Sequence, residues 1–162
     1  MFDLRSALPF LLSRVGARTA ELFAERELGR HDVSLPMYRV LAVLARHDDQ
    51  RLGELATLAD MEVSTLSRLI GAMQARRLVS RRRLGSDARA VRIRLSDQGR
   101  ALAEKVIAAA TSYETAVTRA LAPRQVQELK RILAQIDDTV SGLQSGPAAR
   151  PKARPVRRQS AA

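Results

Sequence analysis

The chain reads as a mainly α-helical protein with one small β-hairpin, built as six helices in an intertwined homodimer. Three observations predict this. Apolar residues recur at helical spacing through most of the sequence, and they are aliphatic: 46% of residues are hydrophobic but only 3% are aromatic. Over residues 52–96 two short helical patterns are joined by a tight turn. A run of arginines follows, then Gly85-Ser86-Asp87, then a strand alternating aliphatics with arginine. Finally, both chain ends carry apolar stripes wider than so small a core should need. Two short helices followed by a basic hairpin is the layout of a winged helix-turn-helix. That layout places one helix in the DNA major groove and the hairpin, the wing, beside it.

The length of 162 residues suits one core. The chain has no cysteine, which excludes disulfides, thiol redox sensing and Cys-ligated zinc. No run approaches the roughly 18 apolar residues that span a bilayer. The apolar patch Leu8–Leu12 is preceded by Asp3 and soon followed by charge, which argues against a signal peptide. The expectation is a cytoplasmic protein without a membrane partner. Net charge is +11 and unevenly placed: residues 145–162 contribute +5, residues 76–94 contribute +7, and the remainder sums to −1. Such concentration is the footprint of nucleic-acid binding.

The first helix, about 3–26, is drawn by Leu4, Leu8, Leu11, Leu12, Val15, Leu22 and Phe23, with Pro9 marking a kink or a later start. Leu35-Pro36 opens the second, since proline's missing N–H costs nothing in a first turn. Its stripe is Met37, Val40, Leu41 and Leu44, and the polar run Arg46–Gln50 ends it. His31 and His47 fall in or near loops, without the spacing of a metal site. The third helix, about 52–59, buries Leu52, Leu55 and Ala56. The fourth, about 63–77, buries Val63, Leu66, Ile70 and Met73 and turns Ser64, Thr65 and Arg68 outward, with Ser67 on the flank. Serine and threonine hydroxyls can donate or accept, and Arg68 can bond guanine O6 and N7 together. Capping of the helix is the other reading of Ser64 and Thr65.

Residues 78–84 read as the first wing strand, 85–89 as its turn and 91–95 as the second strand, aliphatic side in and arginine side out. Arg81, Arg82, Arg83, Arg89 and Arg92 are therefore expected to contact DNA, with Arg89 at the tip suited to a narrow minor groove. Asp87 is the single acid here and is expected to pair with a nearby arginine and hold the wing in shape. Ser96 is a plausible cap for the fifth helix, about 97–120. Pro123 opens the sixth, about 123–143. Helices 3–26, 97–120 and 123–143 are assigned to dimerisation and 35–96 to DNA binding, all within one domain, 1–144. The tail, 145–162, is basic, poor in large aliphatics and expected to be disordered.

Five segments together resemble the MarR family of bacterial transcriptional regulators. They are Leu35-Pro36-Met37-Tyr38-Arg39-Val40-Leu41, Leu52-Gly53-Glu54-Leu55-Ala56, Ser64-Thr65-Leu66-Ser67-Arg68-Leu69, the wing run Asp87-Ala88-Arg89-Ala90-Val91-Arg92, and Leu95-Ser96-Asp97-Gln98-Gly99-Arg100. The resemblance covers about residues 1–144. It implies a homodimer on a pseudo-palindromic operator in double-stranded DNA. It also implies repression relieved by a small, often aromatic or anionic, effector bound between dimerisation helices and winged module. Asp87 and Arg89 match the family's positions for wing integrity and minor-groove contact. Two departures stand out: Glu62 occupies a place often held by Ser or Thr before the recognition helix, and Arg83-Leu84 follow the paired wing arginines where Pro or Asp is usual.

No Gly-rich phosphate loop, cysteine nucleophile, metal-ligand cluster or paired histidine is present, so neither catalysis nor a cofactor is expected. The competing reading is an architectural DNA binder without sequence preference, driven by the wing and tail. Base-reading chemistry on the fourth helix would then be unused. Arg14, Arg18, Arg39 and Tyr113 have chemistry suited to an effector, and the sequence does not rank them.

Overall fold

The computed structural model describes residues 3–83 and 91–144. The order of elements is α1 (Leu8–Phe23), α2 (Leu35–Arg46), β1 (Gln50–Arg51), α3 (Leu52–Leu58), α4 (Val63–Ala75), β2 (Val79–Arg83), β3 (Val91–Leu95), α5 (Asp97–Thr118) and α6 (Pro123–Gln144). The chain divides into two compact units, Met1–Thr118 and Arg119–Ala162.

The first helix starts later than its apolar stripe suggests, with Pro9 in the first turn. It then runs into a π-helical segment, Ala24–Leu28, and a 3-10 turn, Gly29–His31, rather than stopping at Arg26. The extra turns bring Leu28 to full burial. Asp32 then takes a left-handed conformation, φ 51°, a conformation in which aspartate is several-fold enriched. Helix α2 begins where expected: the Ser34 hydroxyl accepts from the Met37 N–H at 3.4 Å, with Pro36 in the first turn.

The sheet has three strands, in the order β1-β3-β2, and both pairings are antiparallel. Strand β1 was not anticipated, because a two-residue strand has no period to detect. The core lies where α2, α3, α4, β3 and α5 meet. Val40, Leu41, Leu44, Leu55, Leu66, Ile70, Met73 and Val106 have no measurable exposure. Val63, expected on this face, is instead 48% exposed, because it opens α4 beyond the core's edge.

The joint between α4 and α5 is built from backbone. Arg77 closes α4 in a left-handed conformation, φ 57°, so that the Leu78 N–H reaches the Met73 carbonyl at 2.9 Å. The Leu78 carbonyl then accepts from the Ser96 N–H at 3.0 Å, and the Ser96 hydroxyl donates to the Arg77 carbonyl at 2.5 Å. The same hydroxyl accepts from the Gly99 N–H at 3.0 Å, the N-cap anticipated for α5. Ser96→Ala should therefore cost about 1–2 kcal/mol, the upper part of the range for a lost cap, because two bonds go at once. Urea denaturation checks this, and a midpoint equal to the parent's would remove Ser96 from the joint.

Helix α6, taken by itself, buries no side chain within the chain. Leu129, Ile132, Leu133 and Val140 are 39–46% exposed. No described helix is long and apolar enough to cross a membrane.

Candidate nucleic-acid interface

Helix α4 presents two chemically distinct faces. Leu66, Ile70 and Met73 point into the core, and Ser64, Thr65 and Arg68 are exposed on the other side, as the period predicts. Arg68 makes no hydrogen bond or ion pair among the described residues, so its guanidinium is available. The cap residue is Glu62, and its side chain accepts no hydrogen bond from the helix, so the departure noted at this position leaves the first turn's N–H groups open. A helix N-terminus with free N–H groups and small side chains lets a phosphate approach closely. Ser67, on the flank, is half-buried.

The wing strands sort their arginines by register. Arg81 pairs with Ile93, which is buried, so Arg81 lies on the inner face of the sheet. There it donates to the Ser67 carbonyl of α4 at 3.2 Å, tying wing to recognition helix. Arg82 pairs with Arg92, and Arg92 pairs in turn with Arg51 of β1. Three arginines thus form a row across the outer face, one per strand, with neighbouring Cβ atoms about 5 Å apart. Arg51 and Arg82 are exposed. Sequence reasoning missed Arg51, since nothing local announces that residue 51 joins the wing sheet.

Arg92 between them is held from the side. It donates to the Asp49 carbonyl at 2.6 Å, and its guanidinium lies 3.8 Å from the Asp49 carboxylate. Arg94 and Arg100 both lie 3.8 Å from the Asp48 carboxylate. The polar end of α2, which looked like a simple helix stop, thus supplies two acids that fasten β3 and the start of α5. Removing the middle charge of the row also lessens its self-repulsion. Of the remaining expected contacts, Arg83 belongs to β2 by its backbone, while Asp87 and Arg89 lie outside the described residues.

This sorting makes two arginines of one strand pair distinguishable. Arg82→Ala should lower the slope of log affinity against log salt by about one phosphate contact per bound protomer, with stability unchanged. Arg92→Ala should leave the slope nearly intact and lower stability by about 1 kcal/mol, since it breaks a charge-assisted bond that is only partly screened. Salt-series anisotropy and thermal melts on both variants separate these roles. Equal loss of slope would mean that Arg92 leaves Asp49 for DNA.

A cleft of about 290 Å³ opens between α1, α2 and α5. Phe23, Leu35, Tyr38, Arg39, Ala110 and Tyr113 line it, and the Arg39 guanidinium donates to the Asp60 carbonyl at 3.4 Å and lies 3.9 Å from the Asp60 carboxylate. The three rings touch: Phe23 meets Tyr38 edge-on at 5.0 Å and Tyr113 at 5.2 Å. The Tyr113 hydroxyl donates to the Thr19 carbonyl at 2.8 Å, bracing the cleft across α1 and α5. Burial, and secondly the charge of Glu114, raise the Tyr38 phenol above its ordinary pKa of 10.0. Of the four residues with effector-type chemistry, Arg39 and Tyr113 line this cleft, whereas Arg14 stacks on Phe10 at 5.5 Å.

Comparison with known proteins agrees with this geometry. A family model for the MarR family matches residues 31–90. The MarR family transcriptional regulator SPO1453 from Silicibacter pomeroyi DSS-3 is 34% identical in sequence. Its crystal structure covers 86% of this chain and 99% of its own, with a TM-score of 0.73. The transcriptional repressor CouR, solved bound to a 23-mer DNA duplex, is 26% identical over 85% of this chain and 96% of its own, with a TM-score of 0.77. The HTH-type transcriptional repressor IacR of Pseudomonas putida is 27% identical over 124 residues, which is 76% of this chain and 74% of that protein. The chain belongs to the MarR family of winged-helix transcriptional regulators.

Proposed function

We propose that this protein is a homodimeric repressor that reads a pseudo-palindromic operator and releases it when a small aromatic or anionic effector binds. The observation that carries the reading is the outer face of α4. Ser64, Thr65 and Arg68 are exposed together, opposite a fully buried face, and beside them stands a sheet whose outer surface carries Arg51 and Arg82. Ser67 and Arg81 join helix to wing, and Arg92 holds the sheet's arginine row in line. Arg83 and Arg89 would continue the contact toward the minor groove, and Asp87 would hold the wing in shape by pairing with an arginine. That CouR and IacR are repressors supports the sign of regulation.

Dimerisation is supported by the apolar surface left open at the chain ends. Leu8 and Val15 of α1, Val117 of α5 and the stripe of α6 are each about 40–55% exposed within one chain. A second copy would cover them, and two recognition helices would then reach half-sites about one helical turn apart. We assign residues 1–144 to one domain, the DNA-reading part at about 35–96, and read the basic segment 145–162 as adding phosphate attraction without sequence preference.

The aromatic cleft is the proposed effector site. Its rings suit a planar ligand, and Tyr38 and Arg39 supply a donor and a charge for an acidic group. Effector binding would favour a dimer geometry with misplaced recognition helices, and DNA affinity would fall by the effector's preference for that geometry. The test is fluorescence anisotropy of the purified protein on DNA flanking its gene, against a scrambled duplex of equal length at physiological salt. A preference of about a thousandfold is expected. Equal affinity for a genome-selected site and for random DNA would instead establish an architectural binder.

A further inference from the structure

We propose that a second cleft, bounded by the Gly29–His31 turn, the end of α4 and the first turns of α5, binds a phosphorylated small molecule. The cleft holds about 310 Å³, distinct from the aromatic cleft in every lining residue. Four of its side chains can donate hydrogen bonds: His31, Arg76, Gln98 and Lys105. Leu78 and Leu102 form an apolar wall beside them, and no carboxylate lines the cleft.

The donors are differently prepared. Arg76 is pre-oriented: one terminal nitrogen donates to the Asp32 carbonyl at 2.6 Å, and the other lies 3.4 Å from the Asp32 carboxylate. That carboxylate is 95% exposed, so it fixes the guanidinium from the solvent side and offsets its charge only in part. His31, Gln98 and Lys105 make no hydrogen bond or ion pair among the described residues. The acids next to the lining residues on α5, Asp97 and Glu104, are exposed and lie outside the lining, and Glu27 pairs with Arg30 at 3.8 Å.

Donor number selects the ligand class. A carboxylate offers two oxygens, and a phosphate monoester three terminal ones with up to two charges. A guanidinium, an ammonium, an imidazole and a carboxamide around one space can use all three phosphate oxygens and would leave donors idle around a carboxylate. The apolar wall suits an organic body better than a free ion.

The experiment is a titration of the isotope-labelled full chain with phenyl phosphate, followed by amide chemical shifts, with benzoate and inorganic phosphate in parallel at constant ionic strength. Saturable shifts are expected at His31, Leu78 and Gln98–Lys105, with benzoate and inorganic phosphate each at least about tenfold weaker. Lys105→Gln, an exposed change that leaves the core untouched, should weaken phenyl phosphate about tenfold, the equivalent of one charge-assisted contact. Shifts that fail to saturate, that centre on the wing arginines, or that persist undiminished in Lys105→Gln would overturn the site. Benzoate binding as tightly as phenyl phosphate would overturn the phosphate assignment, and equal binding of inorganic phosphate would overturn the organic body. These readouts involve no DNA, so failure of the repressor reading leaves them unaffected.

Discussion

Gly99→Ala should lower the melting temperature by roughly 10 °C, corresponding to a loss of about 3 kcal/mol in a chain of this size. A Cβ built on Gly99 would sit 1.9 Å from the Leu78 carbonyl oxygen and 2.8 Å from its carbon. The obstacle is backbone, and it cannot rotate away as a side chain would. That carbonyl also accepts the Ser96 N–H, so any shift disturbs the cap that starts α5. Gly71→Ala is the matched control. No atom lies within 4 Å of its Cβ position, and alanine is about 1 kcal/mol better than glycine inside a helix. The control should melt at or above the parent's temperature. A Gly99 variant that melts with the parent would show that α5 can move off the end of α4 without cost.

Arg68→Ala should reduce the preference for operator over random DNA by about 5- to 150-fold per half-site, the equivalent of about 1–3 kcal/mol for one bidentate base contact in each. Stability should not change, because the side chain is exposed and α4 is anchored by Leu66, Ile70 and Met73 on its other face. Arg68→Lys sharpens the test. Lysine keeps the charge but not the planar fork, so it should retain affinity for random DNA while still losing preference. Competition anisotropy with both duplexes gives the ratio directly. If Lys restores the full ratio, Arg68 reads phosphate rather than a base.

What could be read from the sequence follows the range of the interactions responsible. Helix α2 is legible from Leu35-Pro36, a first-turn proline that acts locally, whereas its Ser34 cap is seen only in the structure. The faces of α4 follow from period except at Val63, and the Ser96 cap follows from a serine directly before α5. Strand β1 was invisible, because its two residues become a strand only by pairing with Ile93 and Arg92, about forty positions later. The wing arginines looked equivalent for the same reason. Arg81, Arg82 and Arg92 are alike in local sequence, and only the register sends Arg81 to the Ser67 carbonyl and leaves Arg82 outside. Asp48 and Asp49 read as a helix stop, since their partners Arg92, Arg94 and Arg100 are distant in the chain. The aromatic cleft needed three rings from three helices, a convergence that no single stripe reveals.

The strand order β1-β3-β2 leaves β2 as an unpaired edge, a row of open N–H and C=O groups able to accept a strand from another molecule. Its sequence, Val-Ser-Arg-Arg-Arg, gives that strand three successive arginines. Like charges on two such strands repel, so these arginines would also oppose edge-to-edge pairing of two copies. Variants that neutralise all three at once would lose colloidal stability together with DNA binding. Single replacements should remain monodisperse in light scattering at concentrations where the triple variant forms large particles. Work on this wing is therefore best done one arginine at a time.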